Sequence, residues 1–222
     1  MQPFRLRLHL YLSIAVLAQV GYWYLGSPGP SLQGAPRTLS TAAVNIGWAL
    51  ALLLVLPGAL LAFFGELGRI RVGLGNWRLG LPLTLALGFG AALVLSASGG
   101  AALQETYPWA GRWPGRSVLH FAAWGGLYAL YYAAFEFFYR GFLLRVLSEP
   151  WGLEAAVWTQ ALLSTMIHLG KPLAETLAAF PAGFLFAWLA LRTRSLLWPT
   201  LLHLTIGLAT DAAILGRQGW WG

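Results

Sequence analysis

Six ionisable side chains lie in or at the ends of apolar stretches in the carboxyl-terminal half of the chain. They are Glu136, Arg140, His168, Glu175, His203 and Asp211. An ionisable group near the middle of a bilayer costs at least about 2.5 to 3.5 kcal/mol on insertion scales, so each is a candidate for function. Imidazoles and carboxylates are the groups that activate a water molecule or bind a divalent metal.

Spacing along the chain places some of these groups on a common helix face. Glu136 and Arg140 are four residues apart, so the guanidinium can pair with the carboxylate. This pair also has a purely structural interpretation, because buried charges are usually paired. His203 and Asp211 share a face eight residues apart, but about 12 Å along the axis separates them. Asp211 can therefore orient His203 only through another group.

The same groups are predicted to lie at similar depths. Counting about 1.5 Å per residue from the predicted inner helix ends places Glu136 about 16 Å deep, and His168 and Asp211 about 22 Å deep. We expect separate helices to bring these groups to one middle layer.

Nucleophilic catalysis is the weaker hypothesis for this set. The chain has no cysteine, which excludes thiol chemistry. Ser164 precedes His168 by four residues and shares its face, but no nucleophile elbow or oxyanion motif accompanies the pair. Activation of water by Glu136 with His168 is the preferred hypothesis.

Membrane helices must position these residues, because the composition excludes a soluble domain. The 222 residues are 58% hydrophobic and 9% charged, whereas soluble domains carry about 25% charged residues. One bilayer crossing needs about 20 apolar residues, and no short alternating segments of a barrel occur. We predict an all-α polytopic transmembrane bundle of about seven helices in a single integral membrane domain, residues 1–222. The apolar stretches are Leu8–Leu25, Ala42–Phe64, Leu81–Leu103, Val118–Leu147, Leu153–Gly170, Leu173–Leu191 and Leu196–Leu215.

The formal charge of +7 indicates topology and no nucleic-acid partner, because the basic residues lie in short groups between apolar stretches. A cytoplasmic amino terminus gives an inner excess of basic residues, the usual bias. The inner set is Arg5, Arg7, Arg69, Arg71, Arg78, Arg145, Arg192 and Arg194, and the outer set is Arg37, Arg112, Arg116, Lys171 and Arg217. Residues 1–116 are predicted to form three structural helices, and residues 117–215 the helices that carry the site.

The run Phe135-Glu136-Phe137-Phe138-Tyr139-Arg140-Gly141-Phe142-Leu143 resembles the Glu-Glu-x-x-x-Arg-Gly motif of the CPBP intramembrane proteases, which include the CAAX prenyl endopeptidases and bacteriocin-processing proteins. His168 stands at the histidine that closes the second motif of that family, and His203 at the one that opens the third. The resemblance implies an endopeptidase of the bacterial inner membrane. Its substrate would be a membrane-anchored protein or peptide within the lipid bilayer.

The resemblance also implies roles for the matched residues. Glu136 and His168 would activate water, while His203 and Arg140 would complete the catalytic centre. The remaining polar residues would position substrate or tune the site; they are Ser164, Lys171, Glu175 and Asp211. Whether the site holds no cofactor or a divalent metal such as zinc stays open. The candidate ligands for a metal are Glu136, His168 and His203.

Three positions depart from the family pattern. Phe135 replaces the first glutamate, Ser164 an aromatic residue and Gly207 an asparagine. The segment His168-Leu169-Gly170-Lys171-Pro172 with Glu175 is similar to a bacterial branch with one motif glutamate. Some such proteins, the myxosortase type, remove carboxyl-terminal sorting tails.

Two other classes of function fit part of this pattern. Buried carboxylates and histidines also relay protons in transporters, although a transporter often has two symmetry-related halves and the polar residues here occupy one half. An inactive membrane scaffold is the second alternative, because Phe135 and Gly207 depart from the family motif.

Overall fold

The computed structural model describes residues 3–26, 36–98 and 100–221. Within these ranges the chain is helical and has no strand, as predicted. The α-helices are α1 Pro3–Leu25, α2 Leu39–Ala49, α3 Leu56–Phe63, α4 Trp77–Ser98, α5 Ala101–Thr106, α6 Val118–Glu136, α7 Leu144–Met166, α8 Leu173–Thr193 and α9 Leu197–Arg217. Two π-helical segments, π1 Leu50–Val55 and π2 Phe137–Leu143, join α2 to α3 and α6 to α7.

The helices present a lipid-facing surface. Five segments are long and apolar enough to cross a bilayer: Leu6–Leu25, Leu39–Phe63, Trp77–Leu95, Leu173–Thr193 and Leu197–Arg217. Large apolar side chains such as Phe63, Leu119 and Leu173 lie exposed on the outside of the bundle, which favours a lipid environment over water. The protein is a multi-pass membrane protein.

Two predicted helix boundaries differ from the structure. The stretch predicted as one helix from Leu81 to Leu103 is divided, because α4 ends at Ser98 and Gly100 is extended before α5. Glycine is unfavourable within helices, which accounts for a break at this point. The fifth stretch, predicted to reach Gly170, ends as helix at Met166. The predicted break between the fourth and fifth stretches is confirmed by Gly152, whose φ of 82° interrupts the helical geometry inside α7.

Close packing of small residues fixes the helices that carry the motifs. A β-carbon added at Gly183 of α8 would lie 2.9 Å from the α-carbon of Ala161 in α7. The side-chain amide of Gln160 also donates to the Gly183 carbonyl at 3.0 Å. α9 in turn packs against α4, α6 and α8. The four helices α6 to α9 therefore form one packed unit.

A buried hydrogen-bond chain attaches α1 to this unit. The hydroxyl of Tyr139 in π2 donates to Gln19 Oε1 at 2.7 Å, and Gln19 Nε2 donates to the Leu163 carbonyl in α7 at 3.2 Å. Gln19 of α1 thereby contacts both π2 and α7.

Candidate active site

Glu136, Arg140 and His203 form one hydrogen-bonded cluster. Glu136 is the last residue of α6 and is fully buried. Its Oε1 atom accepts from Arg140 Nη1 at 3.2 Å and lies 2.7 Å from His203 Nδ1. With Glu136 ionised, Nδ1 of His203 carries the proton and Nε2 is left as an acceptor. The other carboxylate oxygen, Oε2, is buried with no hydrogen-bond partner among the described residues.

Arg140 balances the charge of Glu136 inside the bundle. It lies in π2, and its side chain is 1% exposed. The guanidinium carbon lies 5.2 Å from the ring centroid of Phe186 and 5.7 Å from that of Tyr139, within the range of cation–π contact. The pairing of Glu136 with Arg140 predicted from their spacing is present, and π-helical segments often occur at functional sites.

His168 occupies the turn after α7. Its Nδ1 atom lies 2.7 Å from the Ser164 carbonyl oxygen, which only accepts, so Nδ1 donates and Nε2 remains an acceptor. The Thr176 hydroxyl donates to the His168 carbonyl at 2.7 Å and fixes the turn against α8. The Ser164 hydroxyl donates instead to the Ala161 carbonyl at 3.0 Å. Ser164 thus orients His168 through its backbone, and its hydroxyl makes no hydrogen bond with the imidazole.

The two imidazoles line one cavity of about 380 Å³. The ring of Phe135 lies between them, with its centroid 5.2 Å from that of His203 and 6.0 Å from that of His168. Tyr132 also packs against His203, at a centroid distance of 4.2 Å. The cavity therefore has room for water beside two imidazole acceptors. Glu136 and Arg140 are not among the described residues that line it, and His203 connects Glu136 to it.

Lys171 and Glu175 form a second polar group on the cavity wall. Lys171 Nζ donates to Glu175 Oε1 at 2.8 Å and to the Tyr107 hydroxyl oxygen at 3.1 Å, while the Tyr107 hydroxyl donates to the same carboxylate at 2.6 Å. Burial lowers the pKa of Lys171, but the Glu175 carboxylate and Tyr131 outweigh burial and hold that pKa above its usual 10.5. The ammonium is therefore charged at neutral pH.

Sequence reasoning missed Tyr107, which lies in the loop before α6. No local pattern distinguishes this tyrosine from the others of the chain. It meets the site through contacts with residues more than sixty positions away.

Asp211 lies apart from the cavity wall. It is fully buried in α9, and its Oδ2 atom accepts from Trp124 Nε1 in α6 at 2.6 Å. It is not among the described residues that line the cavity. Its hydrogen bond joins α6 to α9 behind the site.

The departure at Gly207 has a steric explanation. A β-carbon there would lie 2.3 Å from the Tyr132 hydroxyl oxygen and 2.9 Å from two of its ring carbons. The Tyr132 ring thus occupies the space that a larger residue at position 207 would need. A glycine at this position lets α9 approach α6 and lets Tyr132 support His203.

We expect the Gly207→Ala variant to unfold at a lower temperature than the parent, because Tyr132 is confined between α9 and His203. Forcing a methyl group into a packed core usually costs about 1 to 3 kcal/mol. Thermal unfolding in detergent measures the change. Gly126→Ala is the matched control on α6, where an added β-carbon meets no atom within 4 Å. An unchanged midpoint for Gly207→Ala would contradict this packing.

Among the described residues, no three histidine, aspartate or glutamate side chains are grouped so that they would hold a metal ion. Glu136 Oε1 is already bonded to Arg140 and His203. The donors left for a metal would be Glu136 Oε2 and the two imidazole Nε2 atoms.

The fold and the site define a multi-pass helical membrane protein with a buried carboxylate–imidazole centre beside an internal cavity. Residues 118–209 match the family model described as Rce1-like, type II CAAX prenyl endopeptidase Rce1-like. The match covers α6 to most of α9, including Glu136, His168 and His203, and it confirms the resemblance of this region to the CPBP proteases. No curated protein and no solved structure matches the chain.

Proposed function

We propose that the protein is an intramembrane endopeptidase that cleaves a membrane-anchored protein or peptide. The observation that carries this proposal is the cavity lined by two imidazoles, one of which is hydrogen-bonded to the buried Glu136. Imidazole acceptors that line a cavity, with a carboxylate hydrogen-bonded to one of them, are groups that general-base hydrolysis uses. The match of residues 118–209 to a protease family supports the same activity.

In the proposed reaction, the unpartnered Oε2 of Glu136 accepts a hydrogen bond from the attacking water. The carboxylate takes the proton as the water oxygen bonds to the peptide carbonyl carbon. His168, whose Nε2 has no hydrogen bond to the residues that the structure describes, orients the water, and the proton then passes to the leaving nitrogen as the C–N bond breaks. His203 is held by Glu136 and closes the site, while Arg140 donates to the glutamate and holds it in place.

We propose that substrate enters from the lipid between α4 and α8. Val94 and Leu95 of α4 and Ala178 and Ala182 of α8 line the cavity. The alanines leave room beside α8, so an apolar segment can reach the imidazoles without crossing a polar surface. Lys171 and Glu175 would then position its backbone.

The proposal also includes the orientation in the membrane, the roles of the two regions of the chain and the bond that is cleaved. The amino terminus would lie in the cytoplasm and the protein in the bacterial inner membrane. Residues 1–116 would support the helices of residues 117–215. The bond cleaved would be one that releases a carboxyl-terminal sorting tail, as in the myxosortase type.

Mass spectrometry of membrane proteins from a deletion strain tests the function. We expect one or more proteins to keep a carboxyl-terminal segment that the parent strain removes, and the gene returned on a plasmid to restore the cut. Identical termini in both strains would contradict proteolysis. Proton-coupled flux in liposomes, measured in parallel, would favour the transporter alternative.

A further inference from the structure

A second cavity, of about 320 Å³, lies on the other side of Arg140 from the imidazoles and is lined by arginine. Five arginines are among the described residues that line it, and none of those residues is acidic. The five are Arg69, Arg71, Arg140, Arg145 and Arg194. Like charges gathered in one concavity repel each other and create a strong positive potential, which a bound anion would relieve.

Ion pairs involve only two of the five arginines that line this cavity. Arg140 is paired with Glu136, and Arg145 with Glu66 at 3.2 Å. The other three, Arg69, Arg71 and Arg194, are exposed, and they form no ion pair with the residues that the structure describes.

Two buried donors also lack an acceptor. The Nε atoms of Arg140 and Arg145 are buried and have no hydrogen-bond partner in the described part of the chain. The Arg140 side chain is 1% exposed. A buried donor left unsatisfied is destabilising, so a ligand whose acceptor oxygens reach these atoms would be stabilised here.

The surroundings of the cavity favour an amphiphilic anion. Apolar residues Ile70, Leu144 and Leu191 share its lining with the arginines. The cavity lies where α8 ends and α9 begins, at the side that the basic residues predict to be cytoplasmic. Basic pockets between membrane helices on that side bind anionic lipid headgroups. We propose that this cavity binds the phosphate of an anionic phospholipid headgroup, with an acyl chain along the apolar rim.

The binding test for this cavity does not depend on the proposed proteolysis, although Arg140 belongs to both sites. Arg140 donates to Glu136 through its guanidinium and is one of the residues that line the basic cavity. A phosphate held there would restrain Arg140 in the position that pairs with Glu136.

Binding is measured on the purified full chain in detergent, by native mass spectrometry and thermal unfolding with added phosphatidylglycerol or phosphatidylcholine. We expect phosphatidylglycerol to be retained and to raise the midpoint, and phosphatidylcholine to do neither. In the Arg71→Gln/Arg194→Gln variant we expect phosphatidylglycerol to bind about tenfold more weakly or worse, since each arginine near an anionic headgroup contributes roughly a factor of five to ten.

The control removes two positive charges from the same end without touching the cavity. Arg78 and Arg192 are exposed and are not part of the lining. Arg78→Gln/Arg192→Gln should bind phosphatidylglycerol as the parent does. Arg69→Gln, a single change in the loop, provides a second variant should the double variant fold poorly, and it should also weaken binding.

Three outcomes would overturn the proposal. Equal losses in the two double variants would indicate a diffuse surface charge. Equal stabilisation by inorganic phosphate and by phosphatidylglycerol at the same concentration would assign the site to a free anion. Unchanged binding in both Arg71→Gln/Arg194→Gln and Arg69→Gln would show that lipid binds elsewhere.

Discussion

We expect the Glu136→Gln variant to lose cleavage by a factor of about 100 to 10,000, the usual contribution of a general base. Glutamine has nearly the same shape, and its carbonyl oxygen can still accept from His203 Nδ1. It cannot take a proton from water. In the parent protein, Arg140 and His203 both donate to Glu136 Oε1, and Oε2 has no hydrogen-bond partner among the described residues. The expected loss of cleavage therefore follows from removing the group that accepts the proton of water. Cleavage is measured on membranes of the deletion strain by mass spectrometry of protein termini.

A second variant separates chemistry from folding. Glu136→Gln leaves the Arg140 guanidinium buried without its counter-charge, and breaking a buried pair in this way costs about 3 to 5 kcal/mol. Glu136→Gln/Arg140→Gln removes the orphaned charge and should recover much of the thermal stability. It should remain inactive despite the recovered stability, which would show that the loss in the single variant does not come from unfolding.

The matched control is Glu149→Gln. The Glu149 side chain is 60% exposed, and its closest ion-pair contact, with Arg7, is 3.9 Å long. A weak exposed pair contributes little to stability, so this variant should cleave at the parental rate. Substantial activity in a folded Glu136→Gln protein would reject Glu136 as the base.

The helical architecture was predictable because lipid imposes a length and a composition on each crossing. All seven apolar stretches are largely helical in the structure. The end of α4 was not predicted, since the residues around Gly100 are still apolar while their backbone favours a break. Hydropathy measures only the preference of side chains for lipid. It does not report that glycine disfavours a helical backbone.

The site was predictable where its contacts are local. Glu136 and Arg140 are four residues apart, so helical spacing predicts that their charges meet. The hydrogen bond between Glu136 and His203 joins residues 67 positions apart. The packing of α6 on α9 sets that contact, and a single sequence carries no pattern for it.

Tertiary packing also explains two departures from the family motif. Phe135 replaces a glutamate, and its ring packs between the two imidazoles. Tyr132 occupies the space beside Gly207, and its ring packs against His203. Aromatic packing therefore holds His203 in this chain, so the site forms without the polar residues that the family motif has at positions 135 and 207.

We expect His168→Ala to lose cleavage by at least about 100-fold with little change in stability, because an acid–base group contributes about 100 to 10,000 in rate. The imidazole is held by one hydrogen bond, to the Ser164 carbonyl within its own turn. Losing one such bond costs only about 0.5 to 1.5 kcal/mol. Its Nε2 atom is the acceptor available to water, so the effect falls on the reaction. Rates on deletion-strain membranes and thermal midpoints in detergent measure the two quantities.

His120→Ala is the control that separates the effect of losing a histidine at the cavity from the effect of losing a histidine elsewhere. His120 also makes a local hydrogen bond, from the start of α6 to the Ser117 hydroxyl at 2.8 Å, and it packs against Trp113. It does not line the cavity in the described structure. Both alanine variants therefore lose a comparable local contact, and only His168→Ala loses an imidazole that faces the proposed substrate. Equal cleavage by the two proteins would remove His168 from the mechanism, because no structural cost would remain to mask a catalytic one.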